Sequence, residues 1–458
     1  MNLQFPVLFT ANRYSRPNLK FSEHIGKGTW AFASRGLPIL YAVALIMVAR
    51  DIPQSEFGTL AVFQSLFSML YTFSDGFALQ AIVKFGVEPD VNIEELVTVT
   101  VLLFVSFLSL ALVVLLIFRS TVAVVLNNSS LIMLLPWLAL LAILTMPRVV
   151  FSKVLQGNFR MREIFFVEFA NFGVAGIVLV VLLLSGHIHS ALDVIKITVA
   201  TGLLSSMVAT MLVRPYIKIR FRYSRAMLSK ISNFVRYQAA MGLVSTAQQN
   251  FDTLIVSGFT GATGTAVYST AKMLFRGFYV VRETMTLFVF PAVSKYHSRN
   301  DIPTLRTILE KSVSFLYLIF IPLGIALAFG APIIFHLFYG TKYDASVPIF
   351  RILIIAVTVF PLQMVFGSAL SGMGRIKELF RMFVVSLVVD VTVSVVLLAM
   401  IGIPGAAIAF VVMSAVQAIM FFLYMRKEIG ISTRRLFTRG FSDTLHYLRD
   451  HLGSMADY

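Results

Sequence analysis

The sequence has no cysteine, and charged side chains fill only 13% of its 458 positions. Without Cys, disulfides, thiolate zinc sites and iron–sulfur clusters are excluded. The shortage of charge excludes an ordinary soluble globule, which averages about 25% charged and about 45–50% apolar residues. A nucleotide-binding P-loop is missing too: Gly26-Lys27 lacks the upstream Gly and the following Ser or Thr, which argues against direct use of ATP. The first 27 residues carry Arg13, Arg16, Lys20 and Lys27 with no cleavable apolar segment before them. They read as a short cytoplasmic arm rather than a signal peptide.

What is present is apolar. Hydrophobic residues make up 58% of the chain, Phe alone contributes 42, and the mean hydropathy is +0.85. Runs such as 96–118 hold no charge, and a helix of about 20 apolar residues crosses a bilayer core. Twelve spans are predicted: 28–49, 57–83, 96–118, 131–147, 163–185, 191–213, 237–258, 262–290, 312–335, 346–370, 378–400 and 404–425. The fold class is therefore an all-α polytopic membrane protein with 12 transmembrane helices. Of the 38 Lys and Arg, 29 fall on the N-terminal side of the membrane and 4 on the other. That bias puts both termini in the cytoplasm. In so apolar a chain, the net charge of +16 marks cytoplasmic loops, and no nucleic-acid partner is expected.

An internal repeat sets the expected architecture. Residues 155–165, LQGNFRMREIF, align with 370–380, LSGMGRIKELF, at an offset of 215, with identities at Leu155/Leu370, Gly157/Gly372, Arg160/Arg375, Glu163/Glu378 and Phe165/Phe380. An offset of 206 pairs Gly36-Leu37 with Gly242-Leu243 and Gly58-Thr59 with Gly264-Thr265. Six spans per half keep the halves in one orientation. They predict two six-helix lobes related by a pseudo-twofold axis along the membrane normal, with a central cavity. The expected organisation is an N-terminal arm (1–27), an N-lobe (28–213), a basic linker (214–236), a C-lobe (237–425) and a cytoplasmic tail (426–458). The linker, RPYIKIRFRYSRAMLSKISNFVR, reads as an interfacial segment on anionic membrane lipids.

Polar residues inside spans cost about 2.5–3.5 kcal/mol each on insertion scales, so they should face water or a partner. In span 8, Tyr268, Lys272, Arg276, Tyr279 and Glu283 follow spacings of 4, 4, 3 and 4, which place them on one helical face. Lys272 should lie near mid-depth, with Arg282 snorkelling to the interface. This stripe suits an anionic, sugar-bearing ligand, since Arg and Lys hold phosphate oxygens and Tyr offers a face and a hydroxyl. The same stripe would also serve an internal ion-pair lattice, for example Arg276 with Glu283 or Asp252. Span 1 adds Arg35, with Pro38 predicting a bend beside it. Span 2 carries Gln64, Ser68, Tyr71 and Asp75, and span 7 carries Gln238, Ser245, Gln248, Gln249 and Asp252. Asp75, Gln248, Gln249, Asp252 and Glu283 are candidates for cavity-lining or coupling. Asp390 in span 11 reads as a packing contact. No catalytic group, metal site or cofactor is expected.

The stretch from Gly26 to Gly86 resembles the start of polysaccharide-biosynthesis flippases of the multidrug/oligosaccharidyl-lipid/polysaccharide exporter superfamily. The resemblance rests on Ala49-Arg50, Glu56-Phe57-Gly58, Asp75-Gly76 and the L-x-G-x-x-R segments before spans 5 and 11; it covers residues 24–426. It implies alternating access and movement of an undecaprenyl-pyrophosphate-linked oligosaccharide from the inner to the outer leaflet. It also implies a bacterial cytoplasmic (inner) membrane location and a role in O-antigen, capsule or exopolysaccharide synthesis, alongside a polysaccharide polymerase. By that likeness Arg35, Lys272 and Arg276 would contact the pyrophosphate, with Tyr268 and Tyr279 beside them. Relatives that flip peptidoglycan precursor carry two further helices, for which this chain has no room.

Two other classes compete. A cation-coupled multidrug exporter should have a mostly acidic cavity, whereas Arg35, Lys272 and Arg276 stand here against Asp75, Asp252 and Glu283. A membrane glycosyltransferase or polymerase has only Glu88-x-Asp90 as an acidic pair, and a scaffold would not need charges at mid-depth. Outward movement of a diphosphate runs downhill against an inside-negative potential by about 2.3 kcal/mol per charge per 100 mV, which supplies a driving force.

Overall fold

A computed structural model of the chain describes residues 21–74, 79–86, 88, 91–216 and 222–436. Among these the regular structure is entirely helical: α1 (Phe21–Asp51), α2 (Gln54–Ser74), α3 (Gln80–Phe85), α4 (Ile93–Ile117), α5 (Arg119–Val125), α6 (Leu131–Gly157), α7 (Met161–Glu168), α8 (Val174–Leu184) and α9 (Ala191–Val213). There follow α10 (Arg225–Phe275), α11 (Gly277–Ser298), α12 (Ile302–Tyr339), α13 (Ser346–Ile355), α14 (Phe360–Gly372), α15 (Ile376–Ile401) and α16 (Ile403–Ile429). A π-helical turn, Phe169–Gly173, joins α7 to α8. Pro38 sits inside α1, which continues through it, so the helix is not interrupted beside Arg35.

Among the described residues eight helices are long and apolar enough to cross a membrane, and a ninth span forms from Ser346–Thr358 and Phe360–Gly372, bent by 50°. The predicted spans outside that set are 57–83, 237–258 and 262–290. All three are helical where described, and they are the spans richest in polar residues. Chain ends are capped locally, since a membrane offers little water to satisfy the first amides of a helix. Asn92 accepts from Glu94 N and Glu95 N ahead of α4, and Ser190 with Asp193 forms a capping box on α9. Glu56, from the Glu-Phe-Gly motif, adds a long-range cap by accepting from Ala191 N at 2.8 Å.

Contacts divide the chain into two compact units, residues 1–250 with 261–263 and residues 251–260 with 264–458. The division falls inside α10 for a packing reason. Residues 225–236, expected as a linker on lipid headgroups, begin the helix of span 7. Met227 and Ile231 bury against Ala81, Phe85, Leu96 and Val99 in the first unit. Lys230 pairs with Glu88 at 2.5 Å and Arg222 with Glu95 at 3.3 Å. Those contacts tie the start of α10 to the segments around α3 and α4.

The repeated segment folds alike in both copies, hydrogen bond by hydrogen bond. Asn158 N, Phe159 N and Arg160 N donate to Val154 O, Gln156 O and Leu155 O, and Ile164 N to Arg160 O. At the offset of 215, Met373 N, Gly374 N and Arg375 N donate to Ala369 O, Ser371 O and Leu370 O, and Leu379 N to Arg375 O. The conserved Arg is the N-cap residue in each copy. The central position is left-handed in both, with φ 74° at Gly374 and φ 54° at Phe159. Only the second copy has the residue that suits it.

That difference is testable. The left-handed conformation costs an L-residue about 1–2 kcal/mol, so Phe159→Gly should raise the thermal unfolding midpoint in detergent by about 1–2 °C. Gly374→Phe should lower it.

Candidate functional site

The site is built where α10 doubles back. Gly261 adopts φ 67° and ψ −168°, a conformation that glycine tolerates without a Cβ clash. Asp252 and Lys272 are 20 residues apart in sequence yet in contact; a straight helix would separate them by about 30 Å. Counting about 1.5 Å per residue from the turn puts Asp252 about 14 Å and Lys272 about 16 Å from Gly261. Both therefore sit at similar distances from the turn, on facing arms of the fold-back.

The pair is closed off from water. Asp252 is 0% and Lys272 3% exposed. Lys272 Nζ donates to Asp252 Oδ1 at 2.5 Å and Oδ2 at 2.6 Å. The Tyr268 hydroxyl donates to Oδ2 at 2.7 Å, and Thr253 N to Oδ1 at 2.7 Å. The carboxylate is thus satisfied on both oxygens, as a buried charge requires. Three residues on from Lys272, Phe275 is buried edge-to-face against Phe360 at 5.2 Å and Phe410 at 5.3 Å.

The expected stripe does not continue as one face. α10 ends at Phe275 and α11 starts at Gly277, with a tightened turn where Tyr279 N donates to Arg276 O. Such a three-residue turn advances more per residue than an α-helix, so the residues beyond it rotate away. Tyr268 and Lys272 point into the pair with Asp252, whereas Arg276 is exposed. Tyr279 is half-buried beside Phe360, with the Arg282 guanidinium 4.6 Å from its ring centroid. Arg282, expected to snorkel, is thereby engaged by an aromatic face.

The remaining candidates are spread along the chain. Arg35 is an exposed position on α1 of the first unit. Gln248 is buried and Gln249 exposed, with its amide donating to Ser245 O at 3.3 Å. Asp75 lies outside the described residues, and Glu283 outside those whose side chains are described. The pair Glu88-x-Asp90 is described only at Glu88, which is bound to Lys230.

Sequence reasoning missed two features. Arg148 of α6 donates to both oxygens of Glu168 on α7 at 3.3 Å, a charge pair inside the first unit. An acidic residue within a predicted span was the signal, because such a residue calls for a partner. The second is Asp390 of α15, which is 0% exposed and lies within electrostatic reach of Asp252 and Lys272.

Comparison with known proteins gives three findings. The sequence profile of the family described as polysaccharide biosynthesis protein matches residues 47–348. A protein of Haloferax volcanii described as a probable low-salt glycan biosynthesis flippase is 21% identical over 397 residues, 86% of this chain and 81% of that one. Among solved structures, an inward-facing multidrug resistance transporter of the MATE family and MOP superfamily matches with a TM-score of 0.76 at 15% identity, over 87% of this chain and 98% of that one. The lipid II flippase MurJ in an inward closed conformation matches with a TM-score of 0.72 at 12% identity, over 94% and 93%. At these identities the structural matches establish a shared fold.

Removing one member of a buried ion pair leaves the other uncompensated, at a cost of about 3–5 kcal/mol. Asp252→Ala and Lys272→Met should therefore each lower the thermal unfolding midpoint in detergent. The double variant should recover much of the loss, and the resulting coupling energy measures the pair.

Proposed function

We infer the function from one premise: the chain belongs to the polysaccharide biosynthesis protein family, whose profile spans residues 47–348. The chain is a multi-pass membrane transporter that acts on a lipid-linked glycan. In this reading it moves an undecaprenyl-pyrophosphate-linked oligosaccharide repeat unit from the inner to the outer leaflet of a bacterial cytoplasmic membrane, by alternating access, with both termini in the cytoplasm. The product feeds surface polysaccharide synthesis, where a polymerase in the same pathway consumes it. The flippase described in Haloferax volcanii supports the glycan class of the cargo.

The observation that carries the reading is Arg276. Among the described residues it has no ion-pair partner, and it is exposed at a helix break only four residues from a sealed pair. A guanidinium held there suits a pyrophosphate, which it can bind with two parallel hydrogen bonds. Lys272 acts behind it, holding Asp252 neutralised so that the positive charge offered to the ligand is not cancelled. Arg35 is a separate cationic contact on the first unit. The force comes from the membrane potential acting on the diphosphate.

The reading is tested in a host strain lacking the gene, where lipid-linked repeat units should accumulate on the inner leaflet until the wild-type chain is restored. A hydrogen bond to a charged group is worth about 1.5–3 kcal/mol, so Arg276→Ala should slow export about tenfold or more at unchanged protein abundance. Arg276→Lys should retain part of it, because the charge survives and the planar fork does not. Arg35→Ala should show the same kind of loss. Full export by Arg276→Ala would contradict the assignment.

A further inference from the structure

Among the described residues the buried charges around Lys272 do not balance, and the imbalance points to Asp390. Two carboxylates, Asp252 and Asp390, face one ammonium, Lys272. Asp252 takes both strong contacts of that ammonium and a tyrosine hydroxyl besides. Asp390 takes none. It is 0% exposed, and among the described residues neither of its oxygens has a hydrogen-bond partner. A buried carboxylate left ionised without partners is the costliest arrangement a side chain can adopt, and such a group neutralises instead.

Among the described residues the surroundings offer no other counter-charge. On its own helix, Ser386 and Ser394 flank Asp390 one turn away on either side; both are buried, and Ser386 Oγ is spent on Met382 O at 2.7 Å. α14 and residues 403–423 of α16, the helices packed along α15, contain no titratable residue. Their polar contribution includes Gln417, whose Nε2 is also without a partner. From α10 and α11 the groups within electrostatic reach are Asp252, Lys272, Tyr268 and Tyr279. Arg276 bears on Lys272 and Tyr279 but is itself exposed.

We propose that Asp390 is a proton-binding site: it carries a proton while Lys272 is paired with Asp252, and when that proton is lost to water it takes Lys272 from Asp252. The proton enters from water and returns to water, and Lys272 stays an ammonium throughout. Asp252, freed of the ammonium, takes up a proton from water in its turn and keeps its bond from Thr253 N, so one of the two carboxyls is protonated in either position of Lys272. Lys272 is a tethered cation with two docking positions, and the proton on Asp390 selects between them. Use of that proton to couple transport rests on the transporter reading above. The existence of the site does not.

The test is a count of protonated carboxyls in the full-length purified protein reconstituted in lipid bilayers. Infrared difference spectra in H2O and D2O at neutral pH report the carboxylic-acid C=O stretch, with no glycan present. Relative to Asp390→Asn, the wild type should show one such group. Asp252→Asn should show none, because Lys272 then becomes the counter-ion of Asp390. Lys272→Met should show two, because both acids lose their ammonium. Amide bands confirm that each variant keeps its helices, and if Asp390→Asn fails to fold, Asp252→Asn compared with wild type carries the test. Equal signal in wild type and Asp390→Asn would overturn the proposal, as would a signal that survives Asp252→Asn. Export assays that fail while this count holds would remove the transport role alone.

Discussion

One ammonium against one carboxylate, both withdrawn from water, is the interaction on which the second unit depends. A hydrocarbon core makes an unpaired charge expensive and a satisfied pair tolerable. Asp252 is satisfied four times over, by two contacts from Lys272, one from Tyr268 and one from Thr253 N. The chain reaches that arrangement only because Gly261 lets α10 fold back on itself. Polar residues that weaken spans 7 and 8 as membrane segments are thus the residues that fasten them together.

The second consequence is a division of labour between neighbouring cations. Lys272 and Arg276 are one helical turn apart, and Arg276 N still donates to Lys272 O, yet Lys272 is buried in the pair while Arg276 is exposed where α10 ends. The buried charge has a fixed partner in Asp252. Among the described residues the exposed one has no ion-pair partner, which is what the proposed role in binding a ligand requires. In a flippase, a cation that binds cargo must be able to release it, so it should not be the same group that stabilises the fold.

Much of this was legible in the sequence. Apolar run lengths located the helices, and the L-x-G-x-x-R identities marked two equivalent connections, before spans 5 and 11, whose hydrogen bonds repeat at an offset of 215. The polar face of span 8 was legible as residue types, but its continuity was not, because even spacing assumes a fixed rotation per residue and the turn at Arg276 breaks it. The partner of Lys272 was equally hidden, since Asp252 meets it through a tertiary fold-back. Residues 225–236 misled for a related reason. Their basic and aromatic composition matches a lipid-facing segment, while the burial of Met227 and Ile231 depends on neighbours far away in the chain. Asp390 gave no signal beyond being the one charge of its span past Arg381, and its importance appears only when the buried charges around it are counted.

The most direct measurement of the central interaction is nitrogen-15 magnetic resonance of the lysine side chains in the bilayer-embedded protein, assigned by loss of one signal in Lys272→Met. A charged ammonium dipolar-coupled to the Asp252 carboxylate carbon at contact distance is the result the account predicts. A neutral amine at Lys272, or an ammonium with no carboxylate within reach, would contradict it.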